Sequence, residues 1–358
     1  MQTILTINVF IFILLACITS CATLPTTEGK LRVIYVSPDG NKLGKGTLEN
    51  PLDLRTATRK VIPGGWIYLR GGLYEFEKTL RISKSLSGLP KKRTFLVAYH
   101  NEQPVLNFAK QTVAPKNKGI ALHADFWHIE RIAVEHAGDN GVFISGSHNI
   151  VANVITRHNA DTGLQIGLSN SKHTFEQWPA HNKIIDCESH DNRDPEDKNA
   201  DGFAAKLSVG PGNIFKGCTS HHNADDGWDL STKAETGPIG VIVIEDSLAY
   251  RNGNGFKLGD ENIAVNHELY GNRAFENRKH GFHANSNPGK MVLTNNIAAD
   301  NLGGNFNFAK GQTIFHNNTS CRHYSHSTRI DLIAPYQEQG NHWWFGENKA
   351  NCKKLKTR

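Results

Sequence analysis

Three pieces of the chain, N-A-D-G-F-A-A-K at 199–206, H-N-A-D-D-G-W-D-L at 222–230 and R-N-G-N-G-F-K-L-G at 251–259, carry one template. Aligned on Gly202, Gly227 and Gly255, each reads as a polar pair, a glycine, an aromatic residue and then a variable position. Asp201 and Asp226 immediately precede the glycine, whereas Asp229 and Lys257 fall two residues after it. With Asp225, four aspartates and one lysine occupy related places on successive copies of a single unit. A folding core would not select that concentration of charge.

Outward from this stretch the template recurs imperfectly from about Phe126. Asparagines in turn position fall at Asn159, Asn192, Asn223, Asn252, Asn277 and Asn301, separated by 33, 31, 29, 25 and 24 residues. Short strands are predicted at Asn153–Thr156, Lys183–Cys187, Ile214–Cys218, Val241–Glu245 and Val292–Asn295. Gly163-Leu164, Gly202-Phe203, Gly227-Trp228, Gly255-Phe256 and Gly281-Phe282 punctuate the copies. Periods of this length with short strands and no helical spacing indicate an all-β chain folded as a parallel β-helix; the leucine pattern of the competing leucine-rich solenoid is missing. Each coil buries its inward face only against the next, so residues 31–358 are expected to form a single domain. Thr174–Pro179 and Arg193–Lys198 lengthen the coils beside the acidic stretch, and loops protruding from a rigid scaffold are where recognition concentrates.

Ahead of the repeats, Leu31–Val36 reads as a strand and Ser37-Pro38-Asp39-Gly40 as a turn. Leu52–Ile62 reads as an amphipathic helix ended by Pro63-Gly64-Gly65, and residues 66–72 as another strand. A helix there would cap the apolar cross-section of the first coil. His342-Trp343-Trp344-Phe345 leaves the repeat and is expected to pack on the last coil rather than to stack sugars.

The formal net charge of +6 is concentrated at the carboxyl end, where the last twelve residues hold five lysines and arginines against Glu347 (5 − 1 = +4), leaving +2 for the rest. That balance argues against a nucleic-acid partner. Ile4–Ile18 is an apolar run too short to span a membrane comfortably. It ends in Ile18-Thr19-Ser20-Cys21, which is similar to the lipobox of bacterial lipoproteins with Cys21 lipidated, although no Lys or Arg precedes the run. Residues 1–20 are therefore expected to be a lipoprotein-type signal peptide and residues 21–30 a tether. The alternative is an ordinary cleaved signal; either way the protein is exported. Cys187 and Cys218 occupy matching places in D-C-E-S-H-D-N and G-C-T-S-H-H-N, so they are expected to stack as buried free thiols, poorly aimed for a disulfide. Cys321 and Cys352 could clamp the carboxyl end.

Adjacent coils lie about 4.8 Å apart, which places Asp201 over Asp226 with Asp225 and Asp229 beside them. Carboxylates that close repel and raise one another's pKa; a hard divalent cation such as Ca²⁺ removes the conflict by accepting several oxygens at flexible angles. A solvated acidic turn ladder is the plainer reading, since Asp suits turns, but it accounts poorly for three aspartates in five residues. Lys257 takes the place that Asp229 fills one coil earlier. Beside a cation its neutral amine would be favoured, and a neutral amine there is a proton abstractor; a plain ion pair with Asp229 is the alternative. Lys206 and Arg251 could bind a substrate carboxylate or simply face solvent.

The runs A-D-G-F-A-A-K, D-D-G-W-D-L and N-G-F-K-L-G, with Y-V-S-P-D-G at 35–40 and I-Y-L-R-G-G-L-Y at 67–74, resemble polysaccharide lyase family 9, the calcium-dependent pectate lyases. The resemblance implies a right-handed parallel β-helix. Its calcium ligands would fall on Asp201, Asp225, Asp226 and Asp229, and its Brønsted base on Lys257. The family also holds rhamnogalacturonan lyases, and these motifs do not separate the two. An acidic plant cell-wall polysaccharide, pectate or rhamnogalacturonan, is the implied partner, cut by β-elimination, and a monomer is expected. Two readings compete: a β-helix hydrolase using paired carboxylates without Lys257 or a metal, and a non-catalytic glycan-binding lipoprotein.

Overall fold

The computed structural model describes residues 29–322, 329–334 and 338–344. The expected signal peptide, Cys21 and Cys352 lie outside the described residues, as does nearly all of the expected tether. Leu31–Arg358 forms one compact unit, and no helix among the described residues is long and apolar enough to cross a membrane.

Three parallel sheets of twelve, ten and ten strands run along this unit, each complete coil contributing one short strand to each sheet and the two end rungs joining the first sheet alone. This is a parallel β-helix. Its coils begin at Leu31, earlier than the recurrence from Phe126 indicates, because Leu31–Val36 pairs in parallel with Val61–Leu69 as the first two rungs of the first sheet. The predicted helix is present but shorter, Leu54–Lys60, with the Asp53 carboxylate capping the Thr56 amide at 2.9 Å. Leu54 and Ala57 join the core cluster, so the helix does cover the first coil. Pro63-Gly64-Gly65 does not separate helix from strand; it lies within Val61–Leu69, where the register against Leu31–Val36 slips.

Of the strands expected in the repeats, Lys183–Ile185, Asn213–Lys216, Ile242–Glu245 and Val292–Thr294 all belong to the first sheet. Asn153–Thr156 divides differently. Asn153 takes the left-handed backbone, φ 51°, and turns the chain between Ile150–Ala152 of the first sheet and Ile155–Arg157 of the second. Asp186, Gly217, Asp246, Gly271, Asn295 and Asn317 turn later coils in the same left-handed way, the region that Asn, Asp and Gly enter at least cost.

The third sheet positions the charged residues. In Phe203–Ala205, Trp228–Asp229, Phe256–Lys257, His280–His283 and Gly304–Phe308, the aromatic after each glycine points inward. Phe203, Trp228, Phe256, Phe282 and Phe306 stack with centroids 4.9, 4.7, 4.8 and 4.9 Å apart. Their spacing is that of the coils, and each ring fully buried contributes about 1.5–3 kcal/mol. Because strand side chains alternate, the residue after each aromatic must point outward: Ala204, Asp229, Lys257, His283 and Asn307 form one outward column in register. The glycines are needed for space: a Cβ at Gly227 would lie 2.5 Å from the Gly255 carbonyl oxygen of the next coil.

The asparagine series is a buried stack in the turn between the second and third sheets. Each amide oxygen accepts the backbone N–H of the asparagine one coil earlier, as in Asn192 to Asn223 and Asn223 to Asn252, both 3.1 Å. Cys187 and Cys218 are buried free thiols, as their matching places predict. Cys321 is disulfide-bonded. Trp343 packs edge-on against Phe306 and Phe315, with centroids 5.0 and 5.3 Å away, closing the core at the carboxyl end.

Candidate active site

Asp201, Asp226 and Asn254 each precede a template glycine and stand in one column. Asp201 Oδ1 accepts the Asp226 N–H at 3.1 Å, and Asp226 Oδ1 accepts the Asn254 backbone and side-chain amides at 2.7 and 2.8 Å. Each aspartate therefore spends one oxygen on its neighbour's backbone and keeps Oδ2 for other use. Asp201 Oδ2 faces the Lys206 ammonium at 2.7 Å and the Thr162 hydroxyl at 3.2 Å; Asp226 Oδ2 lies 3.8 Å from the Lys257 ammonium. Asp201, Asp225 and Asp226 bring one carboxylate oxygen each within 4.8 Å of the others, a donor set suited to a cation.

Asp229 sits beside this triad, between two lysines. Its Oδ2 is 3.1 Å from Lys206 and its Oδ1 3.4 Å from Lys257, while Ser231 donates to Oδ1. Burial would raise the Asp229 carboxyl, but Lys206 and Lys257 outweigh it and hold the group down at about 2. Asp226 goes the other way, up to about 7, through burial first and then the Asp225 and Asp229 charges. Burial likewise lifts Asp201 well above the carboxylate range, with Lys206 only partly offsetting it. Buried carboxylates that resist ionising together fit a site completed by a divalent cation. Asp161, next to Thr162, extends the acidic region, its carboxyl lifted to about 6 by burial.

Lys257 reaches the acidic cluster as the register requires. The uncharged amine is expected beside a bound cation; the side chains by themselves favour the ammonium. Burial disfavours the charge, yet Asp229, Asp226, Asp201 and Asp225 together outweigh burial and hold the ammonium above its ordinary range. Lys206 lies deeper, its ammonium spent on Asp201 and Asp229, so the fold makes it an internal counter-ion rather than an open ligand. Arg251 is exposed, pairs with Glu276 at 3.2 Å and does not line the cleft over Lys257.

Arg278, Lys279, His280 and His283, none of them singled out above, line that cleft with Asp225, Asp226 and Lys257. Arg278 is anchored on the carbonyls of Asn223, Ala224 and Arg251, and Lys279 Nζ lies 3.1 Å from Asp225. His283 is held down at about 3, by burial first and then by His280 and the Lys257 and Lys279 charges. Gly281-Phe282-His283 repeats the template of Gly255-Phe256-Lys257 one coil on, a signal that places His283 in the same outward column.

Comparison with known proteins bears on this arrangement. The model of the Pel9A-like right-handed β-helix region matches residues 34–319. Pectate lyase L of Paenibacillus polymyxa (strain SC2) is 44% identical over 336 residues, covering 90% of this chain and 74% of that protein. Pectate lyase L of Thermoclostridium stercorarium is 46% identical over 77% of this chain, which spans only 23% of that longer protein. Pectate disaccharide-lyase of Dickeya chrysanthemi is 36% identical over 85% of this chain, with 39% of that protein spanned. The crystal structure of pectate lyase Pel9A superposes with a TM-score of 0.78 at 29% identity, covering 91% of this chain and 84% of that one. A rhamnogalacturonan lyase superposes at 0.72 over 87% of each chain but at 20% identity, a likeness of fold alone. Fold and relatives together define an enzyme of the polysaccharide lyase class. The chain belongs to the Pel9A-like right-handed β-helix family.

Proposed function

We propose that this chain cleaves 4-linked galacturonan, the pectate backbone, by calcium-dependent β-elimination with Lys257 as the base. The observation that carries the reading is the ladder pairing of Lys257 with Asp229, which sets the amine 3.4 Å from Asp229 and 3.8 Å from Asp226 at the edge of the Asp201–Asp225–Asp226 triad. The pectate lyase names of the relatives at 44% and 46% identity support pectate as the substrate.

Asp201, Asp225 and Asp226, with Asp229 beside them, would hold Ca²⁺. Bound there, Ca²⁺ supplies Lewis-acid charge to a uronate carboxylate, which makes the proton α to that carboxylate easier to remove. A cation held by these carboxylates would offset the charge that keeps Lys257 protonated. Lys257 Nζ takes the C5 proton; the electron pair forms the C4–C5 double bond as the C4–O4 bond breaks and the pair leaves with O4. No water is consumed. Lys206 holds Asp201 and Asp229 in place throughout. Arg278 and Lys279, on the wall of the cleft, supply positive charge for a neighbouring uronate. His283, with its pKa held down at about 3, is too weak a base to compete with Lys257 for the C5 proton.

The apolar run Ile4–Ile18 before Cys21 supports export, with a lipid anchor at Cys21 and the enzyme on a bacterial outer membrane. Radiolabelled fatty acid should mark the full-length protein and not Cys21→Ser.

The deciding experiment follows ultraviolet absorbance of unsaturated product on polygalacturonate and on rhamnogalacturonan, each with calcium or with chelator. Absorbance should rise on polygalacturonate with calcium only. A rise on rhamnogalacturonan alone would replace the substrate; reducing ends without absorbance, unaffected by chelator, would replace the reaction with hydrolysis.

A further inference from the structure

The motifs Glu188-Ser189-His190-Asp191-Asn192 and Thr219-Ser220-His221-His222-Asn223 recur on neighbouring coils, and lyase chemistry uses neither. His190 and His221 end the second-sheet strands Glu188–His190 and Thr219–His221 and stand in register. Asp191 and His222 follow them, both with left-handed backbone at φ 53° and 55°, a conformation in which Asp and His are enriched. Two coils thus present four donors as a two-by-two grid whose backbone is fixed by the solenoid.

The rings of His190 and His221 are stacked, centroids 4.8 Å apart and 6° from parallel. Within each coil the donors already touch: His190 Nδ1 is 2.6 Å from Asp191 Oδ2, and His221 Nδ1 is 2.8 Å from His222 Nδ1. Across the coils, ligand atoms of His190, Asp191 and His221 all lie within 4.8 Å of one another. Ligands sharing one tetrahedral Zn²⁺ at 2.0–2.1 Å stand roughly 3.3 Å apart. His190, Asp191 and His221 stand close enough to share one ion, and His222 Nδ1, 2.8 Å from His221 Nδ1, is the donor next to them.

We propose that this grid is a transition-metal site for Zn²⁺ or a similar borderline cation, with His190, Asp191, His221 and His222 as ligands. Three imidazoles and one carboxylate suit such ions and not Ca²⁺, which takes oxygens. Glu188 Oε1, 3.0 Å from His221 Nε2, supplies the outer carboxylate that orients a ligating imidazole. The local charge is favourable. Arg157 and Arg251 are countered by Glu135 and Glu276, leaving Glu188 and Asp191 to attract a cation. An ion there would tie two coils together.

The test titrates Zn²⁺, with a chromogenic indicator as competitor, into full-length protein stripped by chelator and then saturated with Ca²⁺. Thermal unfolding is followed in parallel. His222→Asn keeps a residue that tolerates left-handed backbone, and His190→Gln keeps hydrogen-bonding capacity; both remove an imidazole. The wild type should take up one more Zn²⁺ than either variant and unfold at higher temperature with Zn²⁺, an increase that both variants lose. Equal uptake by all three proteins, or a wild-type unfolding temperature that Zn²⁺ leaves unmoved, overturns the site. Neither readout depends on the lyase reaction.

Discussion

Two columns of side chains run together through the turn between the second and third sheets, joined by similar hydrogen bonds that point in opposite directions. In Asn192, Asn223 and Asn252 each amide oxygen reaches back to the backbone N–H of the preceding coil. In Asp201 and Asp226 one carboxylate oxygen reaches forward to the following coil. The asparagine column is neutral, buried and saturated: the Asn223 side-chain amide also meets Ser189, Ser220 and Asn252. The aspartate column performs the same scaffolding with half of each carboxylate and leaves the other half charged or protonated over the cleft. An aspartate here is thus an asparagine-like rung with spare ligand capacity.

That contrast can be broken most severely at Lys257, which belongs to neither column but depends on the charged one. Lys257→Gln should lower product formation by at least the roughly 10²–10⁴-fold that a positioned base provides, with unfolding temperature little changed. A variant retaining most activity would show that the base lies elsewhere.

Next in size is Asp226→Asn, which keeps the oxygen that Asn254 uses. Lyase activity should fall, by less than at Lys257, and calcium protection against unfolding should weaken. In chelator the variant should be the more stable protein at neutral pH. The Asp226 carboxyl is raised to about 7, so the folded state binds more protons than the unfolded one between the ordinary carboxylate range and pH 7. Stability then falls as pH rises through that window. Denaturant titrations at pH 5 and pH 8 should show that fall, on the order of a few kcal/mol, in the wild type and much less of it in the variant.

Asn223→Ala tests the neutral column. It strips the partner from the Asn192 backbone and side-chain amides, and each buried donor left unpaired costs about 1–3 kcal/mol. Denaturant midpoints should shift accordingly while the remaining folded enzyme keeps its activity per molecule.

The smallest effect is expected at His267, a histidine doing an asparagine's work. Its Nδ1 accepts the Ile242 N–H at 3.1 Å, as Asn182 Oδ1 accepts from Asn149 in a second, separate row of turns that lead into the first sheet. Burial drives its pKa down to about 3. The folded imidazole stays neutral while the unfolded one titrates near 6.5, so this contribution is full above pH 6.5 and is lost as pH falls towards 3. His267→Asn should flatten the decline of unfolding temperature between pH 6.5 and 4.

The charged column was legible because Gly-aromatic pairs set the phase of each coil, and with the phase known, alternation decides which side chain faces out. The same rule held His283 in plain view, but a lone histidine carries no repeat of charge to draw notice. The early coils escaped because their turns use other residues than the asparagine series. Strands of the second sheet such as Glu188–His190 and Thr219–His221 are three polar-edged residues long, too short for alternation to register. The role of Lys206 depends on where a long flexible side chain ends, and spacing does not encode that. The protonation of Lys257 is a balance of four carboxylate charges against burial, available only once distances are known.

Inside the sheets, the stacked aromatics let no residue be added or removed, since a slip of one would turn Asp229 and Lys257 towards Phe203 and Phe282. The connections at Thr174–Pro179 and Arg193–Lys198 bear no such constraint. Selection or design can therefore lengthen, shorten or exchange these arms while Asp229 and Lys257 stay clamped at an unchanged pitch.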